Sequence, residues 1–162
     1  MITIAIDSAM HASGIAVFRD KTLIATELLK VPNKYKSKEC SLRMATLMVD
    51  FIRLELNKYC EPVQVVIEDH EYRYGNDKMN VKSFADMYSV GVCTASQISS
   101  SVPVTFYKPK EWKGTVPKKI KTQRIMEVER ETYNSDTDLF QDGQDDIVDA
   151  IGIGRFHIDK IR

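Results

Sequence analysis

The sequence predicts an α/β fold: a five-stranded mixed sheet, an antiparallel meander followed by parallel strands, flanked by helices in the order βββαβαβα. Three observations predict it. Residues 2–29 hold three strand-like runs joined by short turns. Leu42, Ala45, Val49, Ile52 and Leu56 then recur at steps of three and four. Two further strand-like segments, "VQVVIED" and "SVPVTFY", each follow a helical stretch. A meander that gives way to alternating helix and strand needs parallel pairing and helices on both faces of the sheet.

The elements follow in order. In residues 2–7, Ile2, Ile4 and Ile6 point one way and Thr3, Ala5 and Asp7 the other, which is strand period. Ser8 to Ser13 is a turn of small residues, and a second strand runs from Gly14 to Phe18. A tight turn at Arg19–Lys21 leads into a third strand ending at Leu29. Pro32 to Lys38 is a polar connection, and residues 39–59 are an amphipathic helix. The fourth strand starts after Pro62 and reaches Glu68. "HEYRYGNDKMN" is a polar loop with aromatics, and Val81 to Ile98 is a second helix. The fifth strand precedes "KPKEWKGTVPKK", which reads as a loop broken by prolines and a glycine. Residues 118–133 and 143–160 are the third and fourth helices. The crossovers into strands four and five are expected to be right-handed.

The chain has 162 residues, 43% of them hydrophobic and 28% charged, which suits one soluble domain over residues 1–162. No stretch is apolar enough to span a membrane, and the N-terminus lacks the pattern of a secretory signal. Cys40, Cys60 and Cys93 form no C-x-x-C pair, so neither a zinc site nor a disulfide framework is indicated. They are expected to be free, buried cysteines in a reducing cytoplasm.

A net charge of zero hides a segregated pattern. Lys108, Lys110, Lys113, Lys118, Lys119, Lys121 and Arg124 stand against one acid, Glu111. Residues 127–149 invert that balance, with Arg130 the one base among many acids. A basic run attracts phosphate backbones, or is a solvated face.

An acid ending a buried strand is costly unless something pairs with it. Asp7 ends the first strand and Glu68 the fourth, and "DGQDDIVDA" places Asp142, Asp145, Asp146 and Asp149 on one helix face. Asp142 and Asp145 are read as helix caps, whereas Asp149 lies too deep in its helix to cap it. If the strand-end and helix acids meet, their repulsion demands a counter-charge. A hard divalent cation, magnesium or manganese, is the one that selects carboxylate oxygens. Two such ions about 4 Å apart would serve phosphodiester hydrolysis.

The ordered set "AIDSAMHASGIAVF … VVIEDHE … KSFADMYSVGVCTA … DDIVDAIGIG" resembles the RuvC-like branch of the RNase H-like nuclease superfamily, the phage-type Holliday-junction resolvases in particular. The resemblance spans Ile2 to Phe156. It implies an RNase H-like fold and an endonuclease that cuts four-way DNA junctions as a homodimer, in DNA recombination or phage DNA processing. The cytoplasm would be that of a bacterial host if the protein is phage-encoded. It implies that Asp7, Glu68, Asp146 and Asp149 bind the metal, with Asp145 an extra acid that could shift the assignment by one. It makes the loop after Glu68 a junction-contacting element, with Tyr72, Arg73 and Tyr74 the candidates. It assigns Lys113 and Lys118 to the scissile phosphate, and Lys110, Lys119 and Lys121 to DNA backbone contacts. The segment "KSFADMYSVGVCTASQ" matches the family's dimer helix, where Ala85, Ser89, Gly91 and Ala95 permit close approach or simply pack within one subunit.

Trp112 is expected to anchor its loop to the core. His11 and His70 lie beside proposed ligands and could support them, but are expected rather in exposed polar roles, and His157 in a structural one. Three rivals remain, the first a nuclease of the same fold with broader specificity for flaps, forks or RNA–DNA hybrids. The actin and sugar-kinase ATPase fold also reads strand, acid, small residues, strand, but needs two such domains. A non-catalytic DNA-binding scaffold would leave the acids without a cation.

Overall fold

A computed structural model describes residues 1–71, 81–139 and 144–160. The strands are β1 (Ile2–Asp7), β2 (Ala12–Arg19), β3 (Thr22–Lys30), β4 (Val63–Glu68) and β5 (Val104–Tyr107). The helices are α1 (Ser37–Lys58), α2 (Val81–Ile98), α3 (Pro109–Trp112), α4 (Lys118–Glu131) and α5 (Asp145–Lys160). The sheet order is β3-β2-β1-β4-β5. β1–β2 and β2–β3 pair antiparallel, while β1–β4 and β4–β5 pair parallel. This is the mixed sheet the sequence predicts.

Alternation along the strands decides what each face carries. Ile2, Ile4 and Ile6 of β1 join Val65 and Ile67 of β4 in a core under Met44, Met48 and Ile52 of α1. The opposite face carries Ala5, Ala16 and Phe18, which pack against Ile147, Val148 and Ile151 of α5. Asp7 is in phase with Ala5, and Glu68 with Val66, which packs against Ile153 of α5. Both strand-end acids therefore face the helix that carries Asp146 and Asp149.

Gly14 makes that approach possible. It pairs with Asp7 across the β1–β2 ladder. A Cβ at position 14 would overlap the backbone carbonyl of Asp146, so the first turn of α5 sits directly on the strand backbone.

Two expectations are corrected. The segment after β5 is not wholly loop: α3 forms there, because Pro109 occupies the first helical turn, where its missing N–H costs nothing. The Lys108 N–H donates to Glu111 Oε2 at 2.8 Å and caps it. The order after β5 is thus α3, α4 and α5, plus a 3₁₀ turn at Thr137–Leu139, with α4 and α5 the helices expected over residues 118–133 and 143–160. Cys60 is exposed and Cys93 half-buried, so only Cys40 is the buried thiol expected of all three. Among the described residues no helix is long and apolar enough to cross a membrane.

His157 is structural, as expected. It is buried late in α5, and its Nδ1 shares a 3.0 Å hydrogen bond with the Tyr107 hydroxyl. Burial, and then the Lys160 charge, hold its pKa below the ordinary 6.5. As pH falls below 6.5 the unfolded chain takes up a proton here that the folded chain resists. Stability at this residue is therefore full above 6.5 and lost toward acid. The urea midpoint of wild type is expected to fall from pH 7 to pH 5 more than that of His157→Gln. Parallel pH profiles would contradict this.

Candidate active site

The acids meet at the carboxyl ends of β1 and β4, beneath the N-terminal half of α5. Asp7, Glu68 and Asp149 are 8%, 5% and 7% exposed. Asp146 is half-buried. Burial pushes the Asp7 carboxyl well above the carboxylate range, and the charges of Glu68, Asp149 and Asp146 push it further. Glu68 moves the other way. Burial raises it, but a hydrogen bond with Asp7 and the Lys113 ammonium outweigh burial and leave it lowered. Asp7 therefore keeps the proton and donates it to Glu68. Asp146 is raised by burial and by its acidic neighbours, against the opposing charge of Lys118.

Lysines supply the counter-charge. Lys113 Nζ lies 2.9 Å from Glu68 Oε1 and 3.9 Å from Asp149 Oδ2, so it bridges two elements. Lys121, itself buried, pairs with Asp149 Oδ1. Trp112 Nε1 donates to Glu68 Oε1 at 3.2 Å. Its ring also packs beside Val66 and Ile153, so the loop anchor reaches into the site.

The donor set fits a divalent metal: carboxylate oxygens from three elements, buried together, with the Asp7 pKa raised by burial and then by its neighbours' charges. Asp7, Glu68, Asp146 and Asp149 are the groups that would hold it. Among the described residues no three His, Cys, Asp or Glu side chains already converge at coordination spacing. The ammonium groups of Lys113 and Lys121 hold oxygens that a cation would take.

The remaining candidates fall as follows. Lys118 is largely exposed and pairs with Asp145 at 3.0 Å, and its charge also acts on Asp146 and Asp149. Asp149 and Asp146 are among the charges that raise Asp7. Lys110 and Lys108 flank Glu71, at 4.0 and 3.6 Å. Lys119 is exposed on α4. Tyr72, Arg73 and Tyr74 lie outside the described residues.

His70 departs from the exposed role expected of it. Its Nδ1 is 3.8 Å from Glu68 Oε2, and its Nε2 reaches the hydroxyl and carbonyl of Ser8. It ties the end of β4 to the turn after β1. His11 is half-buried against the thiol of Cys40.

Sequence reasoning placed Lys121 on the DNA backbone and missed its place among the acids. The available signal was spacing: Lys118 and Lys121 are three apart, so both face α5. Gly14 was read only as a strand start.

No protein-family model and no curated protein matches the sequence. Solved structures do. Thermus thermophilus RuvC in complex with Holliday junction substrate superposes with a TM-score of 0.69 at 21% identity, covering 100% of this chain and 95% of that one. The chain has the RuvC fold. A second structure of Thermus thermophilus RuvC gives 0.64 at 19% identity, covering 97% and 93%. The RuvC likeness extends over the sheet, both helical layers and the segment that carries the lysines.

Proposed function

We propose that this chain is a metal-dependent endonuclease that resolves four-way DNA junctions by paired phosphodiester hydrolysis, as one RuvC-like domain acting in a homodimer. The observation that carries the reading is the burial of Asp7, Glu68 and Asp149 together at one sheet end, beside lysines that neutralise them. Such a cluster is expensive to a protein that uses it for nothing.

Magnesium or manganese, two ions in the full site, would supply Lewis acidity and a water of lowered pKa. The chain's own residues do the rest. Asp7, Glu68, Asp146 and Asp149 would hold the metal as carboxylates, which would require Asp7 to give up its proton. Lys113 and Lys121, which pair with those carboxylates, lie where they could offset the developing charge of the scissile phosphate. Lys110, Lys118 and Lys119 take flanking phosphates, which fix register without reading sequence. Tyr72, Arg73 and Tyr74 contact the exchange point, where unpaired bases accept stacking. Water adds to phosphorus as the P–O3′ bond breaks, leaving a 5′ phosphate and a 3′ hydroxyl.

A two-fold dimer suits a two-fold substrate, one strand cut by each subunit. Gly91 is buried against Ile67 and Ser8 of its own subunit, and Ala95 is half-buried, so close approach is not what they provide. The free face of α2 is instead Ala85, Tyr88 and Val92, next to Phe106 of β5. We assign the dimer contact to that face. Val92→Glu is expected to sediment as a monomer with unchanged helical content. A dimer of wild-type affinity would place the contact elsewhere.

The test of function is gel-resolved cleavage of a labelled four-way junction beside linear duplex, a flap, a fork and an RNA–DNA hybrid, with and without magnesium. Symmetric paired nicks on the junction alone, dependent on metal, are expected. Preferential cutting of flaps, forks or hybrids keeps the carboxylate chemistry and changes the substrate. No cutting of any substrate, with magnesium or manganese, leaves a DNA-binding scaffold in DNA recombination or phage DNA processing.

A further inference from the structure

A cavity of about 350 Å³ lies between α3, α4 and α5, immediately beside the carboxylates. Its floor is Gly152 on α5: a Cβ there would come within 2.6 Å of the Trp112 ring and 2.7 Å of Ile125 Cδ1. Gly152 thus lets the indole and Ile125 pack directly on α5, and these two side chains with Val128 form the apolar wall of the cavity. Its volume falls in the range of small-ligand pockets.

The charge around this apolar slot is one-sided. Lys113 and Lys121 sit over the Trp112 ring, 4.8 and 5.1 Å from its centroid, and both also hold active-site carboxylates. Arg124 adds an exposed guanidinium, and it pairs with no carboxylate among the described residues. Glu129, the one acid of the lining, is spent on Arg155, whose Nη2 donates to it at 2.6 Å. A flat apolar body with an anionic end fits these walls. Inorganic phosphate would use the cations and waste the apolar surface. An uncharged apolar ligand would do the reverse.

We propose that the cavity seats one nucleotide of the cut strand, next to the scissile phosphate. Its base lies against Trp112, Ile125 and Val128, and its phosphate on Arg124. The wall formed by Lys113 and Lys121 is shared with the catalytic acids, so an occupied slot fixes which phosphodiester lies over them. Bases removed from a stack gain affinity from such aromatic and apolar platforms. This inference rests on the nuclease reading and adds a nucleotide-selecting site to it.

The sequence contains one tryptophan, Trp112, so intrinsic fluorescence reports the slot directly. In EDTA, thymidine 5′-monophosphate is expected to change that fluorescence saturably. Thymidine and inorganic phosphate should each bind about tenfold more weakly. Arg124→Glu and Val128→Glu, both at exposed positions, should each weaken the nucleotide by about tenfold with an unchanged circular dichroism spectrum. No saturable change at millimolar nucleotide, equal binding by phosphate alone, or undiminished binding by both variants would each overturn the proposal. Nucleotide binding without cleavage of any branched DNA would sink the nuclease reading and leave a nucleotide pocket. Cleavage without a fluorescence response would do the opposite.

Discussion

Asp7→Asn is expected to lower metal-dependent cleavage by about a thousand-fold or more while leaving DNA binding nearly intact. The amide keeps the size and a hydrogen bond to Glu68 but removes the anion. The same substitution should make the metal-free protein more stable. In the unfolded chain Asp7 ionises near its ordinary value; in the folded chain burial and Glu68 hold the proton to higher pH. The folded state therefore binds more protons between those two values. The stability this provides is full below the unfolded pKa and is lost as pH rises through the folded one. Asparagine removes that loss, so the gain should appear in urea midpoints at pH 8 and shrink toward pH 4. Wild-type cleavage by the variant, or a stability difference that grows toward acid, would contradict this account of the site.

Gly14→Ala is expected to destabilise the protein by about 3 kcal/mol and to cut activity along with it. The new methyl has no room between β2 and the Asp146 carbonyl, so α5 must lift from the sheet. That movement also carries Asp146 and Asp149 away from Asp7 and Glu68. An alanine variant with an unshifted urea midpoint would show that the strand and helix do not meet this closely. Second-site substitutions that restore the midpoint without restoring cleavage would separate the packing role from the positioning role.

These two residues show what a sequence does and does not disclose. Asp7 and Glu68 were legible because each closes an apolar strand, where a lone acid has no cheap explanation. Asp149 was legible from its depth in the last helix. The sheet order followed from strand period and from the helices between strands. Gly14 was opaque, since a small residue at a strand start has many causes and only the third dimension brings α5 onto it. Lys121 was opaque for a related reason. It lies in a polar helix crowded with lysines, and burial, the property that singles it out, is tertiary. Pro109 misled because proline interrupts a helix everywhere except its first turn. His70 sits two residues past a strand-end acid, and nothing local says that it turns back to Ser8 rather than out to solvent.

The lysine pairs hold the same oxygens that the proposed metal site would use. Lys113 on Glu68 and Lys121 on Asp149 keep the cluster folded without a cation, and the same lysines lie beside the slot proposed for a nucleotide. Loading of metal and engagement of DNA should therefore favour one another, because each draws on groups that the other sets free.

The most direct measurement is the anomalous diffraction signal of manganese in crystals of the protein grown with that ion. The account predicts a peak about 2.2 Å from carboxylate oxygens of Asp7 and at least one of Glu68, Asp146 and Asp149, with Lys113 or Lys121 swung away. The peak should vanish in Asp7→Asn crystals. Density with no manganese at the acids, and both lysines still on their carboxylates at saturating metal, would contradict the central claim that these acids are a cation site.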